Sequence, residues 1–137
     1  MKPKYKDSYK NLLVWKNASE LRKLTYDMTA TFPKQELRRV SQMRDAARSV
    51  KQNIQEGRKR RSEGEFLQAL NLSRGSLAEL KGDVEDSYED DLLAENQFGI
   101  TNALICKTDY LLHRLRQAII KTKKTNSTFH PLARKPV

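Results

Sequence analysis

Residues 37–61 read LRRVSQMRDAARSVKQNIQEGRKRR, and they decide the fold. Val40, Met43, Ala47, Val50 and Ile54 recur at alternating spacings of three and four, which places them on one stripe of an α-helix. The stripe predicts a helix from about Leu37 to Gly57, with Gly57 expected as a left-handed C-cap. Four consecutive cations follow at the corner: Arg58, Lys59, Arg60 and Arg61. From Lys34 to Arg61 ten cations face only Glu36, Asp45 and Glu56, a net +7 in a chain whose total is +10. Such a run reads either as a solvated turn or as a surface that touches phosphate, and the surrounding excess favours phosphate.

Outward from this segment the same periodicity recurs three times. Val14, Ala18, Leu21, Thr25, Met28 and Phe32 form a first seam, closed by Phe32-Pro33 because the residue before proline is driven out of the α region. Ser62 and Glu65 form a capping box ahead of a third seam, Phe66, Leu70, Ser73, Leu77, Leu80 and Val84, which runs to about Glu89. A fourth segment starts near Ala94. It carries Ile105, Leu112, Leu115 and Ile119 on one line, with Ile100, Leu104 and Leu111 beside it. No stretch alternates as a strand would. Connections of about two to eight residues force antiparallel neighbours. The expected fold is therefore all-α, an up-down-up-down four-helix bundle over residues 11–120. It is flanked by a flexible basic N-terminus (1–10) and a disordered basic tail (121–137).

The composition excludes more than it selects. One cysteine, Cys106, rules out an intramolecular disulfide, and its neighbours Leu104 and Ile105 suggest a buried structural thiol. No apolar run approaches the roughly 20 residues of a membrane span and no signal segment follows Met1, so a cytoplasmic home is expected. His113 and His130 are the only histidines, and neither follows a glutamate by three, which removes the paired ligands of di-iron bundles. One cysteine and two histidines make no zinc site, and no Gly-rich phosphate loop or nucleophile-base set is present. Helical ribonuclease toxins place an arginine four to six residues before a histidine; here Lys107 and Asp109 precede His113, which is expected to be an exposed or satisfied helical histidine. The chain reads as a non-enzyme without metal or cofactor.

What remains is surface. Asp83, Glu85, Asp86, Glu89, Asp90, Asp91 and Glu95 fill the third corner, at the end of the bundle opposite the basic corner. The expected nucleic-acid contacts are Arg58, Lys59, Arg60 and Arg61, with the long face of Arg44, Arg48 and Lys51 as a competing site. The aromatic residues are few and mostly on seams, so contact is expected with phosphates rather than bases. Gln42, Ala46, Ser49, Asn53 and Glu56 line a polar stripe whose buried groups need hydrogen bonds. Asn71, Gly75, Ala78 and Gly82 form a small-residue stripe, which is either tolerated surface or a close approach by a neighbouring subunit. Ile100, Leu104 and Leu111 widen the apolar arc of the fourth helix, and Leu12 to Trp15 cannot all face inward. Trp15, Gly75, Gly82, Ile100, Leu104 and Leu111 are accordingly the expected oligomer interface.

The residues Gln42, Arg44, Ala46, Ala47, Ser49, Asn53, Ile54, Glu56 and Gly57 resemble the signature Q-x-R-R-A-A-x-S-x-x-x-N-I-x-E-G of a four-helix-bundle family. That family is encoded in intervening sequences of bacterial large-subunit (23S) rRNA genes. Gly75-Ser76-Leu77-Ala78-Glu79-Leu80 is similar to its G-S-x-x-E-L motif, and Phe32-Pro33 to its first loop. Asp45 departs from a usual arginine and Lys51 from a frequent proline. The resemblance spans roughly Tyr9 to Ile119. It implies a homopentameric ring without catalytic activity, associated with RNA. It also implies kinship with the accessory subunit of diversity-generating retroelements, which binds a reverse transcriptase and nucleic acid. A basic RNA-binding scaffold is the function expected; an adaptor docking a reverse transcriptase or ribonucleoprotein is the alternative.

Overall fold

The computed structural model describes Tyr9, residues 12–60 and residues 62–129, with side chains as far as residue 122. Four helices follow in order: α1 (Leu13–Thr29), α2 (Leu37–Lys59), α3 (Glu63–Glu89) and α4 (Glu95–Phe129), with a 3-10 turn at Lys34–Glu36 between the first two. Each helix packs on its sequence neighbour and α1 closes on α4, while α1 and α3, and α2 and α4, face each other diagonally across the core. The protein is all-α, and among the described residues no helix is long and apolar enough to cross a membrane.

The seams meet in the middle. Leu21, Met43, Val50, Ile54, Leu70, Leu80 and Leu112 are fully buried, with Leu77 and Ile105 nearly so. Polar seam residues survive there because their hydroxyls return to the backbone. Thr25 donates to Leu21 O at 2.8 Å, Thr29 to Thr25 O at 2.7 Å, and Ser73 on α3 bridges to Val50 O on α2.

The termini explain the lengths. Ser62 Oγ accepts from the Glu65 amide at 3.0 Å and starts α3. The end of α3 is a Schellman motif: Leu92 N–H donates to Ser87 O at 2.9 Å and Asp91 N–H to Tyr88 O at 3.1 Å. Asp91 takes the left-handed position at φ 63°, where glycine is the usual occupant. Gln97 Oε1 accepts from the Ala94 amide at 2.9 Å and opens α4.

Three expectations change. Gly57 is not a left-handed cap: α2 continues to Lys59, and none of the described glycines has positive φ. Gly57 is buried where α3 crosses α2, and a Cβ there would meet Ala69 Cβ at 2.6 Å and Phe66 Cδ1 at 2.9 Å. Close helix approach, not backbone handedness, requires the glycine. Residues 121–129 are helical rather than a disordered tail, because no glycine or proline interrupts α4 before Pro131 and propagation adds one hydrogen bond per residue fixed. Residues 130–137 lie outside the described residues. Cys106, finally, is exposed, one position off the buried line of Ile105.

Candidate nucleic-acid interface

Arg58 and Lys59 occupy the last turn of α2 and Arg60 its C-cap, where cations complement the helix dipole; Arg61 lies outside the described residues. The corner is anchored rather than loose. Arg60 N–H donates to Gly57 O at 3.1 Å, the Arg58 guanidinium lies over the buried Phe66 ring at 5.8 Å, and Lys59 lies 5.4 Å from the Tyr9 ring centre.

One residue of the corner, Arg58, continues the long face of α2, whereas Arg60 lines the α2–α3 groove with Glu56 and Glu65. Arg44, Arg48, Lys51, Gln55 and Arg58 follow at helical spacings of four and three, so they share a side of α2. Within that strip the three expected face residues differ. Arg48 is exposed and has no partner among the described residues. Lys51 is half-buried, with its ammonium 5.1 Å from the Trp15 ring centre. Arg44 is committed to the end of α1: its Nε–H donates to Thr29 Oγ1 at 2.9 Å and a terminal N–H to Tyr26 O at 3.2 Å. Its first role is thus to satisfy a helix C-terminus.

α1 supplies the residues that sequence reasoning missed. Trp15, Arg22 and Tyr26 lie one position off the buried seam of Val14, Leu21 and Thr25, and antiparallel packing sets them beside the α2 strip. Arg22 and Arg44 both lie over the Tyr26 ring, 4.7 and 4.6 Å from its centre. Trp15 Nε1–H donates to Gln55 Oε1 at 2.9 Å, and Tyr9 meets its ring edge-on at 5.5 Å. The face therefore interleaves cations with aromatic rings, where the aromatics were expected to lie mostly on the seams and to offer no platform. The offset stripe was readable in the sequence, but its α2 partners were not.

Charge is sorted by side. Glu20 and Asp27 of α1 line a groove shared with α4, and Asp45 and Glu56 of α2 line grooves shared with α3. The α1–α2 face keeps the cations without the acids. Burial, with Arg22 and Lys23 nearby, pushes Lys51 below the ordinary lysine value. On the opposite side, Gln42, Asp45, Ala46, Ser49, Ser76, Glu79 and Asp83 line an acidic α2–α3 groove of about 560 Å³. Ser49 and Ser76 hydroxyls meet there at 2.7 Å, and Asn53 donates to Ser49, so the polar stripe is hydrogen-bonded as expected. Burial, then Asp86, raises Asp83 above the usual carboxylate range. At the acidic end Arg39 pairs with Asp90 at 2.7 Å and Glu36 at 2.9 Å, so one cation does enter that cluster.

The expected interface residues scatter. Trp15, Leu104 and Leu111 pack against their own core, which absorbs most of the apolar arc. Ile100 stays 59% exposed, beside Leu24 and Leu104 in an α1–α4 groove of about 470 Å³. Of the Leu12–Trp15 run, Leu13 is the residue that faces out, and Leu37, 73% exposed, joins it unforeseen. Nothing lies within 4 Å of a Cβ built on Gly75 or Gly82. Gly75 and Ala78 instead line an α3–α4 groove crossed by the Arg74–Asp109 ion pair. His113 is half-buried rather than exposed, and its Nδ1 has no hydrogen-bond partner among the described residues.

No curated protein matches the sequence. A family model does, over residues 10–114, and its description is 23S rRNA-intervening sequence protein. That match takes in α1, α2, α3 and most of α4, including the strip and both sequence motifs, and the chain belongs to the 23S rRNA-intervening sequence protein family.

Proposed function

We propose that this protein is a non-enzymatic scaffold that binds nucleic acid through phosphate contacts, RNA in preference to DNA, and does so as an oligomer in the cytoplasm. One observation carries the reading: the α1–α2 face collects cations from two helices while the acids of both turn to other grooves. A polyanion is the partner that such a surface attracts, since phosphate contacts release counterions. The family description points the same reading toward ribosomal RNA. A ring of copies would repeat the Arg58–Arg61 corner at equal heights and multiply weak contacts by avidity. Exposed Ile100, beside Leu24 and Leu104 in a groove rimmed by Glu20, Lys23, Asp27 and Lys107, favours some protein contact, whether a second copy or a docked polymerase.

The test is a salt titration of affinity for structured RNA with the purified protein. Binding should weaken steeply and log-linearly with salt; absent binding at low salt, or binding indifferent to salt, rejects the reading. A pull-down with and without nuclease separates the adaptor alternative, because only an RNA-bridged association is lost on digestion.

A further inference from the structure

Arg22, Arg48 and Lys51 have no carboxylate within ion-pair distance among the described residues. Like charges gathered this way repel, and within the described face only the Tyr26 and Trp15 rings, with no carboxylate, offset that repulsion. Beside them Arg44 is held by its hydrogen bonds to Thr29 Oγ1 and Tyr26 O, with its guanidinium carbon over the Tyr26 ring, 4.6 Å from the ring centre. Trp15 is the chain's single tryptophan and is held half-exposed by Gln55 and Lys51. Cationic grooves that track a backbone, combined with aromatic or guanidinium planes, are what unpaired bases stack upon. A duplex presents no base faces to such a surface.

We infer that the α1–α2 face is a site for single-stranded nucleic acid, in which Arg22, Arg48 and Lys51 hold phosphates and the Tyr26–Arg44 pair receives an unpaired base. From Arg44 to Arg58 the strip runs about 21 Å at 1.5 Å per residue, room for about six phosphates at duplex spacing and fewer in an extended strand. Rings that restrain long cationic side chains reduce the ordering lost on binding. This inference rests on the nucleic-acid reading above but is narrower, since it fixes the face and the strandedness.

The experiment compares a short oligouridylate with an RNA duplex of equal length, using the full chain and the intrinsic fluorescence of Trp15. The single strand should bind about tenfold tighter and change the Trp15 emission. Tyr26→Leu should lower single-strand affinity about tenfold and leave duplex affinity unchanged, in keeping with the loss of one stacked base. Arg22→Gln combined with Lys51→Gln should reduce the log-log salt slope for the single strand by about 1.4, two phosphate contacts at 0.7 each. Equal or tighter duplex binding, or silent Trp15 emission, overturns the inference while leaving phosphate binding intact. Failure of both probes to bind at low salt overturns the inference and the proposed function together. The wild-type emission and the Arg22/Lys51 variant decide the matter even where Tyr26→Leu fails to fold.

Discussion

Replacing Gly57 with alanine should destabilise the protein, although the same change elsewhere in these helices should stabilise it. Alanine is favoured over glycine within a helix by about 1 kcal/mol. At Gly57 that gain is outweighed. A new Cβ at 2.6 Å from Ala69 Cβ and 2.9 Å from Phe66 Cδ1 must be relieved by moving α3 off α2. Ordinary carbon contact needs about 3.5–4.0 Å, so the helices must part by roughly 1 Å, which forfeits a quarter to a half of each neighbouring contact. Overpacking of this kind costs about 1–3 kcal/mol, leaving a net loss of up to about 2 kcal/mol once helix propensity is credited. At about 3–5 °C per kcal/mol for a domain of this size, the thermal midpoint should fall by up to about 10 °C. Gly75→Ala is the matched control. It has open space around it and should raise the midpoint by about 2–5 °C. Circular dichroism melts of the two variants, with light scattering for mass, measure both. A Gly57→Ala protein that melts above wild type would refute the close α2–α3 approach. A Gly75→Ala protein that loses oligomer mass would identify the small-residue stripe as a contact between copies.

The α3 C-terminus offers a second change: Asp91→Gly removes the left-handed strain of a non-glycine residue and should add about 1 kcal/mol, read as a higher urea midpoint at unchanged slope. Asp83 is raised by burial and then by Asp86, so the fold favours its protonated form, and stability falls as pH rises from the ordinary carboxylate value through the raised one. Asp83→Asn should therefore raise the melting midpoint at neutral pH, and the advantage should vanish in acid below the ordinary carboxylate range. Lys51 is lowered by burial, then by Arg22 and Lys23, so stability climbs with pH between its lowered value and the ordinary lysine value. Lys51→Met should flatten that alkaline climb in a pH series of melts while weakening RNA binding.

The helices were legible because a buried seam needs only one residue type at each recurring position. Thr25 and Ser73 show the tolerance of that rule: each takes a seam place once its hydroxyl finds a backbone carbonyl. Gly57 shows its limit. A glycine that lets another helix approach and a glycine that turns the chain look the same in one dimension, and only the crossing of α3 distinguishes them. The apolar arc of α4 shows a second limit. Leu104 and Ile100 both lie beside the fourth seam, yet Leu104 reaches the core and Ile100 does not, because the position of α1 decides how wide an arc α4 can bury. Tyr26 and Trp15 were visible as letters, but a cation-aromatic face exists only when the register of α1 against α2 is known.

That register gives each groove of the bundle a different chemistry. The α1–α2 face is basic and interleaved with rings, the α2–α3 groove acidic, the α3–α4 groove crossed by Arg74–Asp109, and the α1–α4 groove marked by exposed Ile100. Adjacent faces of one small bundle can then serve different partners without competing. A polyanion is drawn to the first and repelled from the second, since Asp45, Glu79 and Asp83 stand there together. Copies that associate through the α3 or α4 sides would leave each α1–α2 face outward and repeated, so assembly would raise avidity for a long strand rather than cover its site. Association through α1 and α2 would do the reverse, bringing like charges face to face. Self-association and strand binding in one protein therefore require the copies to meet away from Arg22 and Lys51. Cross-linking the wild type with and without oligouridylate examines that condition: the oligomer should persist when the strand is bound, and a strand that dissociates it would place the interface on the basic face.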